Sequence, residues 1–137
     1  MALYYDLPVY RDTYKLILKI FECTKDFSKE YKYTLGQDMK RDALQLVRSI
    51  YRANKSTSKL EHLETFMDDF ELLKLEIRLC VDMKVLPIKK QAELSLLMDT
   101  VGKQIHSPVF SKLYKGLLCV EIRYRGFFHA YQQRNSF

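Results

Sequence analysis

The chain has 137 residues, of which 47% are hydrophobic and 29% charged, and it contains only four glycines and three prolines. This composition predicts one globular domain with a single core, and it argues against intrinsic disorder and against turn-rich β architecture. No stretch approaches the roughly 18 consecutive apolar residues of a membrane span, and the N-terminus lacks the basic flank and apolar run of a signal peptide. We therefore expect a cytoplasmic protein.

The net charge of +6 is distributed unevenly along the chain. Residues 1–60 hold 12 Lys and Arg against 7 Asp and Glu, residues 61–100 hold 5 against 9, and residues 101–137 hold 6 against 1. An acidic middle therefore lies between two basic parts. This segregation is consistent with packing between oppositely charged subunit faces, and an exposed basic surface would attract a polyanion.

Apolar residues spaced three or four apart predict a first helix from Pro8 to about Cys23. Proline suits its first turn, where a missing amide hydrogen costs nothing. The positions expected to face the core are Tyr10, Tyr14, Ile17 and Phe21, with Thr13, Leu16 and Ile20 beside them. The period is lost between Thr24 and Tyr33, which we interpret as a connection.

Two capping-box patterns predict where the second and third helices begin. In Thr34 to Gln37 and in Ser58 to Glu61, a hydroxyl is followed three residues later by Gln or Glu, so that the two side chains can satisfy the first backbone donors. The second helix should run to about Asn54 and the third to about Lys84. The predicted core positions are Met39, Ala43, Leu46, Ile50 and Ala53 in the second helix, and Leu63, Phe66, Met67, Phe70, Leu73, Ile77, Cys80 and Val81 in the third.

Pro87 predicts a short connection before a fourth helix, antiparallel to the third, from Ile88 to about Ile105. We expect this helix to bury Leu94, Leu97, Val101 and Ile105. The predicted fold class is all-α, an antiparallel up-down four-helix bundle over residues 1–107, followed by a basic, aromatic C-terminal extension over residues 108–137. Apolar and polar residues alternate over 118–125, which fits a half-buried strand. A fifth helix or a partly ordered tail remains equally open for the extension.

The sequence contains no catalytic or metal-binding pattern. Its three histidines lie far apart, and none stands at helical spacing from another ligand-type residue. The glycines lack the strand-turn-helix context of a phosphate-binding loop. Cys23, Cys80 and Cys119 are widely spaced among apolar residues, which favours buried thiols in a reducing compartment over disulfides or a zinc site. We therefore expect no enzyme activity, no cofactor and no metal.

The second predicted helix carries basic residues along one face. Arg48, Arg52 and Lys55 fall within about 40° of Arg41 when each residue advances by about 100°, and the core positions lie on the opposite side. Lys40 lies on the flank of this face. We call these residues the basic ridge: Lys40, Arg41, Arg48, Arg52 and Lys55. Cations at intervals of one or two turns can contact successive phosphates of a nucleic-acid backbone.

Two alternatives to nucleic-acid binding remain open for the basic ridge. Its charges can form a solvated face, with Arg41 paired locally to Gln37 or Asp38, or the ridge can pack on the acidic third helix of a neighbouring subunit. The C-terminal extension adds cations and aromatic side chains suited to stacking on unpaired bases, among which Arg123 and Arg125 are candidate nucleic-acid contacts. The same aromatic residues can instead close one end of the bundle.

Several segments of the sequence resemble a known family. They are the opening Leu7–Tyr10 continuing to Phe21, Tyr31–Gln37, Lys40–Arg41, Arg48–Asn54 and Val101–Gln104. Over residues 7–107 the chain resembles the four-helix-bundle proteins related to those encoded in intervening sequences of large-subunit ribosomal RNA genes. Within that family it is most similar to the accessory variability determinant (Avd) of diversity-generating retroelements.

This resemblance implies a bundle that assembles into a barrel-like homopentamer with a basic surface. It also implies association with the reverse transcriptase of the retroelement, and with RNA or an RNA/cDNA hybrid, during mutagenic copying of a template repeat. The positions that match the basic surface are Arg41, Arg48, Arg52 and Lys55, together with Lys40. The ribosomal intervening-sequence branch implies instead an oligomeric interaction protein without a nucleic-acid role.

Overall fold

A computed structural model describes residues 4–105 of the chain as an all-helical fold. A short 3-10 helix over Tyr4–Asp6 precedes the first long helix. The α-helices are α1 (Pro8–Thr24), α2 (Lys29–Lys32), α3 (Leu35–Lys55), α4 (Lys59–Asp82) and α5 (Ile88–Ile105). The four long helices coincide closely with the predicted ones, whereas α2 is a single turn inside the segment predicted as a connection. The predicted all-α four-helix bundle is confirmed.

Consecutive long helices of the bundle run antiparallel. Near the end of α1 and the start of α3, the ammonium of Lys40 lies 5.5 Å from the ring centroid of Phe21. Near the start of α3 and the end of α4, the sulfur of Cys80 lies 3.5 Å from that of Met39. The connection between α3 and α4 is only three residues long. Short connections of this kind enforce the up-down arrangement.

Ion pairs link α5 to α1 at the surface. Lys19 contacts Glu93, and Lys90 Nζ donates a hydrogen bond to Glu22 Oε1 at 2.7 Å. From the first pair to the second, the residue number increases in α1 and decreases in α5, so these two helices are antiparallel as well. Exposed pairs of this kind add little to stability, so they orient α5 more than they hold it in place.

The predicted core of α3 is confirmed, because each of its five residues is at most 2% exposed. The predicted core residues of α4 are also buried, except that Val81 is half-buried. In α5, Leu94 and Val101 are buried as expected. Met98 takes the core position there, and its neighbour Leu97 is half-buried.

The predicted core face of α1 is confirmed at Ile17 and at the flanking Thr13, Leu16 and Ile20, but it is wrong at Tyr14 and Phe21. Tyr14 and Phe21 are 49% and 38% exposed, whereas Leu16 and Ile20 are fully buried. Two stripes of apolar residues wind along this helix side by side, and both fit the helical period. The smaller aliphatic stripe enters the core because the rings project to the edge of α3, where Phe21 meets Lys40.

Both predicted capping boxes are wrong, although the helices begin where the boxes placed them. Thr34 Oγ1 donates to the carbonyl oxygen of Glu30 at 2.7 Å instead of capping α3. The reason is that Thr34 directly follows α2, whose unpaired carbonyls compete for the hydroxyl. At the start of α4, the Ser58 amide donates to Ser56 Oγ at 3.0 Å, and the Ser58 hydroxyl makes no cap hydrogen bond.

A lysine caps the other end of α3. Lys59 Nζ donates to the carbonyl oxygens of Ala53, Asn54 and Ser56 at 2.9, 3.4 and 3.0 Å. Carbonyl groups in the last turn of a helix generally lack a partner within it, and the negative end of the helix dipole favours a cation there. One side chain at the first position of α4 thus fixes the turn between α3 and α4.

Helix α4 ends in a left-handed turn at Lys84, where φ is 57°. The Val85 amide donates to the Cys80 carbonyl oxygen at 2.8 Å, and the Lys84 amide donates to the Val81 carbonyl oxygen at 3.0 Å. This is the Schellman pattern, in which glycine is the preferred residue at the left-handed position.

Replacing Lys84 by glycine should therefore raise the free energy of unfolding by about 1 kcal/mol, because glycine relieves the clash between Cβ and backbone. Chemical denaturation followed by circular dichroism measures the change. Lys84→Ala is the matched control, since it removes the same charge but keeps Cβ, and it should bring no gain. Equal stabilities for the two variants would contradict this account of the turn.

Contacts along the chain divide it into two units, residues 1–101 and 102–137. Of the second unit the structure describes only the last residues of α5. The predicted extension over residues 108–137 lies outside the described residues. Within residues 4–105, none of the helices combines the length and the apolarity needed to cross a membrane.

Candidate nucleic-acid interface

Three cations of the basic ridge lie exposed along the outer face of α3. Arg48, Arg52 and Lys55 are all in solvent, and the two arginines form no ion pair with any carboxylate of residues 4–105. Lys55 Nζ lies 3.2 Å from the hydroxyl of Tyr51 and 4.4 Å from its ring centroid, so both of these contacts are with an uncharged side chain. The three positions follow one another at about one turn of the helix. This stretch presents unneutralised positive charge to solvent.

Arg41 is engaged by carboxylates of its own helix. Its guanidinium lies 3.2 Å from Asp38 Oδ1 and 3.3 Å from Asp42 Oδ1. The hydrogen bond to Asp42 and the charges of both carboxylates raise the pKa of Arg41. The local pairing with Asp38 that the sequence left open is therefore present, and Arg41 offers less free charge than the rest of the ridge.

The remaining predicted contacts are not part of the exposed stretch. Lys40 is half-buried, with its ammonium over the ring of Phe21. Arg123 and Arg125 lie outside the described residues. The structure thus brings together Arg48, Arg52 and Lys55, and it places Lys40 at the edge of the helix that faces α1.

Five tyrosines gather where the start of α1 meets the end of α3. The ring centroid of Tyr4 lies 5.4, 5.3 and 5.2 Å from those of Tyr5, Tyr10 and Tyr51, each pair being edge to face. Tyr10 and Tyr14 are stacked, with centroids 6.2 Å apart and ring planes at 20°. We call this group the tyrosine cluster: Tyr4, Tyr5, Tyr10, Tyr14 and Tyr51. It adjoins the exposed cations directly, because Lys55 lies on Tyr51.

Sequence reasoning missed the tyrosine cluster because it assigned the tyrosines of α1 to the core. The sequence did carry a signal for this cluster, namely the high frequency of tyrosine near the N-terminus. Four of the ten tyrosines fall within the first 14 residues. Tyrosine is less often fully buried than aliphatic residues are, so such a concentration favours a half-exposed surface.

Two carboxyl groups face each other in the interface between α3 and α4. Asp42 and Glu76 are each only 6% exposed. Burial, a hydrogen bond to Asp42 and the nearby negative charges raise the pKa of Glu76 to about 8. Asp42 Oδ2 and Glu76 Oε2 accept no hydrogen bond from a described donor, and two carboxyl groups can form a hydrogen bond with each other only if one of them carries a proton. At neutral pH this pair therefore shares one proton.

Within residues 4–105, no group of three His, Cys, Asp or Glu side chains could hold a metal ion. Cys23 and Cys80 are buried free thiols, as the sequence predicts. Burial raises the pKa of Cys80 to about 12, which makes it a poor nucleophile.

Fold and site together define a class: an antiparallel four-helix bundle that exposes cations and tyrosines where the start of α1 meets the end of α3. The model of the family described as bAvd-like matches residues 9–111. Because this match covers most of the chain, the protein belongs to the bAvd-like family. The resemblance to Avd is thereby confirmed, and this family is an accessory, non-catalytic type of protein. No curated protein matches the chain.

Proposed function

We propose that this protein is a cytoplasmic, non-enzymatic accessory subunit of a diversity-generating retroelement. In this role it binds RNA or an RNA/cDNA hybrid, together with the reverse transcriptase, while the template is copied with mutations. Membership of the bAvd-like family supports the retroelement role. The observation that carries nucleic-acid binding is the run of exposed cations Arg48, Arg52 and Lys55, which lie opposite the core face of α3.

Binding through these cations is electrostatic. Lysine and arginine side chains that contact phosphates release condensed counterions, and this release provides affinity without reading the base sequence. The protein would therefore position the nucleic acid for the polymerase and leave sequence recognition to base pairing. The reverse transcriptase enters the proposal through family membership alone.

An exposed apolar stripe on α4 favours self-assembly as a further property. Leu72, Leu75, Leu79 and Met83 recur at helical spacing and are between 40% and 54% exposed. Exposed apolar patches of this kind often mark interfaces between proteins. We include a homo-oligomer in the proposal, with five copies as the number that the resemblance implies. The same stripe favours the second candidate function, an oligomeric interaction protein without a nucleic-acid role.

The test removes the two unpaired arginines. An Arg48→Gln/Arg52→Gln variant should bind a fluorescein-labelled single-stranded RNA about tenfold more weakly than the parent at about 0.1 M salt. The dependence of log affinity on log salt should become shallower by about 1.4, since each lost phosphate contact on a single strand contributes about 0.7. Fluorescence anisotropy over a salt series measures both quantities.

The matched control is Arg78→Gln/Lys89→Gln, which removes two exposed cations from α4 and α5. It should leave the affinity within about twofold of the parent if location matters more than net charge. RNA binding by Arg48→Gln/Arg52→Gln that equals the parent's would show that this assignment of the ridge is wrong. Light scattering distinguishes the second candidate function from the proposed one. If the oligomer of Arg48→Gln/Arg52→Gln dissociates and the parent itself has no affinity for RNA, the ridge has a purely structural role.

A further inference from the structure

We infer that the tyrosine cluster is a stacking site for unpaired bases of single-stranded nucleic acid. This inference rests on the proposed function, since it names the kind of nucleic acid and the groups that would hold its bases. The stacking site adds a second mode of binding, on different residues, to the phosphate contacts proposed on α3.

The first support is the geometry of the rings. Tyr10 and Tyr14 already form an offset stack, with centroids 6.2 Å apart and planes at 20°. Tyr14 is 49% exposed, so half of this ring remains open to another planar group. A base that continues the stack would gain the contact that nucleic-acid-binding proteins use without regard to base identity, because every base has a π-face.

The second support is that the rings are held in place before any ligand arrives. Tyr4 contacts three other rings edge to face, at 5.2 to 5.4 Å. Tyr4 therefore anchors the exposed Tyr5 on one side and Tyr51, from α3, on another. Rings that are already ordered lose little conformational freedom on binding, which favours affinity.

The third support is the charge around the tyrosine cluster. Lys55 and Arg52 flank Tyr51 on α3, and the exposed Arg11 directly follows Tyr10 in the sequence of α1. The carboxylates of the same segments are Asp6, which is exposed, and Asp12, which lies 3.9 Å from Lys15. Cations beside aromatic rings suit a ligand that alternates phosphates with planar bases.

Another protein surface is a less suitable occupant than nucleic acid. The exposed stripe of α4 consists of leucines and a methionine, which is the composition expected where one helix packs on another. The tyrosine cluster differs from it because its rings carry hydroxyl groups and lie beside Arg52 and Lys55, which form no ion pair with a carboxylate of residues 4–105. The observations therefore assign the cluster to a polyanion with exposed bases.

The experiment measures how one pair of substitutions changes the affinity for two RNA probes. The Tyr5→Ala/Tyr14→Ala variant removes the exposed ring of the 3-10 helix and the exposed ring of α1. The probes are a 12-nucleotide oligoadenylate and a 12-base-pair RNA duplex. Since stacking on one ring is worth roughly 5- to 150-fold in affinity, we expect at least a tenfold loss on oligoadenylate. The duplex offers no free base faces along its length, so the loss there should stay below twofold.

Two control variants sharpen this comparison. Tyr33→Ala removes a tyrosine that is 64% exposed near α2 and should bind both probes as the parent does. Tyr5→Phe/Tyr14→Phe keeps the rings and should retain most of the affinity for oligoadenylate. Circular dichroism at the start of each titration verifies that helicity is unchanged.

Each outcome distinguishes this inference from the proposed function. If the alanine variant binds oligoadenylate as the parent does, while the Arg48→Gln/Arg52→Gln variant has lost affinity, the stacking site is wrong and the proposed function stands. Equal losses on both probes also overturn the stacking site. A parent that binds neither probe overturns both proposals, and a change of molecular mass without a change of affinity assigns the cluster to a subunit interface.

Discussion

Replacing Glu76 by glutamine should stabilise the folded protein above pH 8 by a few kcal/mol. It should also remove much of the fall in stability that we expect for the parent between about pH 4.5 and pH 8. The parent folds with a protonated Glu76 hydrogen-bonded to Asp42, in an interface where each residue is only 6% exposed. A glutamine amide donates the same hydrogen bond and never ionises.

The direction of this pH effect follows from proton binding. The pKa of Glu76 is raised from 4.5 to about 8 by burial, by the hydrogen bond to Asp42 and by the charges of Asp42 and Asp38, against which only Arg41 acts. Between these two pH values the folded state holds more protons than the unfolded state, so the free energy of unfolding falls as pH rises. The full loss is on the order of 5 kcal/mol, and it is complete above pH 8.

Urea denaturation at pH 5, 7 and 9 measures the effect. Glu76→Gln should match the parent near pH 5 and exceed it increasingly towards pH 9. The control is Glu61→Gln, which makes the same chemical change at an exposed position of α4 and should shift stability by about 0.5 kcal/mol or less at every pH. Parallel pH profiles for the parent and Glu76→Gln would contradict the shared proton.

Replacing Phe70 by alanine should lower the free energy of unfolding by about 3–5 kcal/mol. Phe66 and Phe70 are 2% and 1% exposed, and their rings are stacked with centroids 6.3 Å apart and planes at 12°. Truncation of either ring therefore leaves a cavity in the middle of α4 as well as an unpartnered neighbour. A loss of this size is a large part of the total stability of a domain of this length.

The same denaturation assay at a single pH measures this loss. Leu96→Ala is the control on α5, because Leu96 is 70% exposed and lies outside the apolar stripe of α4, so its truncation should cost about 0.5 kcal/mol or less. Phe70→Leu should fall between the two, since leucine fills most of the space. If Phe70→Ala were no more destabilising than Leu96→Ala, the placement of α4 against the core would be wrong.

The faces of α3 show how far a sequence can predict a fold. The core residues and the exposed cations of this helix follow from a single helical period, because its small and apolar residues occupy one side and its charges the other. In α1 the same reasoning wrongly assigns Tyr14 and Phe21 to the core, since aromatic and aliphatic residues both recur at helical spacing. Only the position of α3 decides which stripe of α1 is covered.

Hydrogen bonding between neighbouring elements was a second source of error. Thr34 and Ser58 have the residue types of caps, yet the Thr34 hydroxyl donates to the carbonyl oxygen of Glu30, and the Ser58 amide donates to the hydroxyl of Ser56. Lys59 caps α3 from the next helix, a role that no local pattern predicts. Such hydrogen bonds depend on the distance between the end of one helix and the start of the next. A short sequence motif does not encode this distance.

The sequence by itself determined the four long helices, their limits to within a few residues, most of the core of α3 and α4, the family and the basic ridge. These features depend on periodicity, on proline and on the order of residue types along one helix. Only the tertiary structure decided which ridge cations form no ion pair within the described residues, that Asp42 and Glu76 share a proton, and that five tyrosines meet where the start of α1 lies against the end of α3. The physical reason is that charge neutralisation, proton affinity and ring packing depend on distances between helices, and folding alone sets those distances.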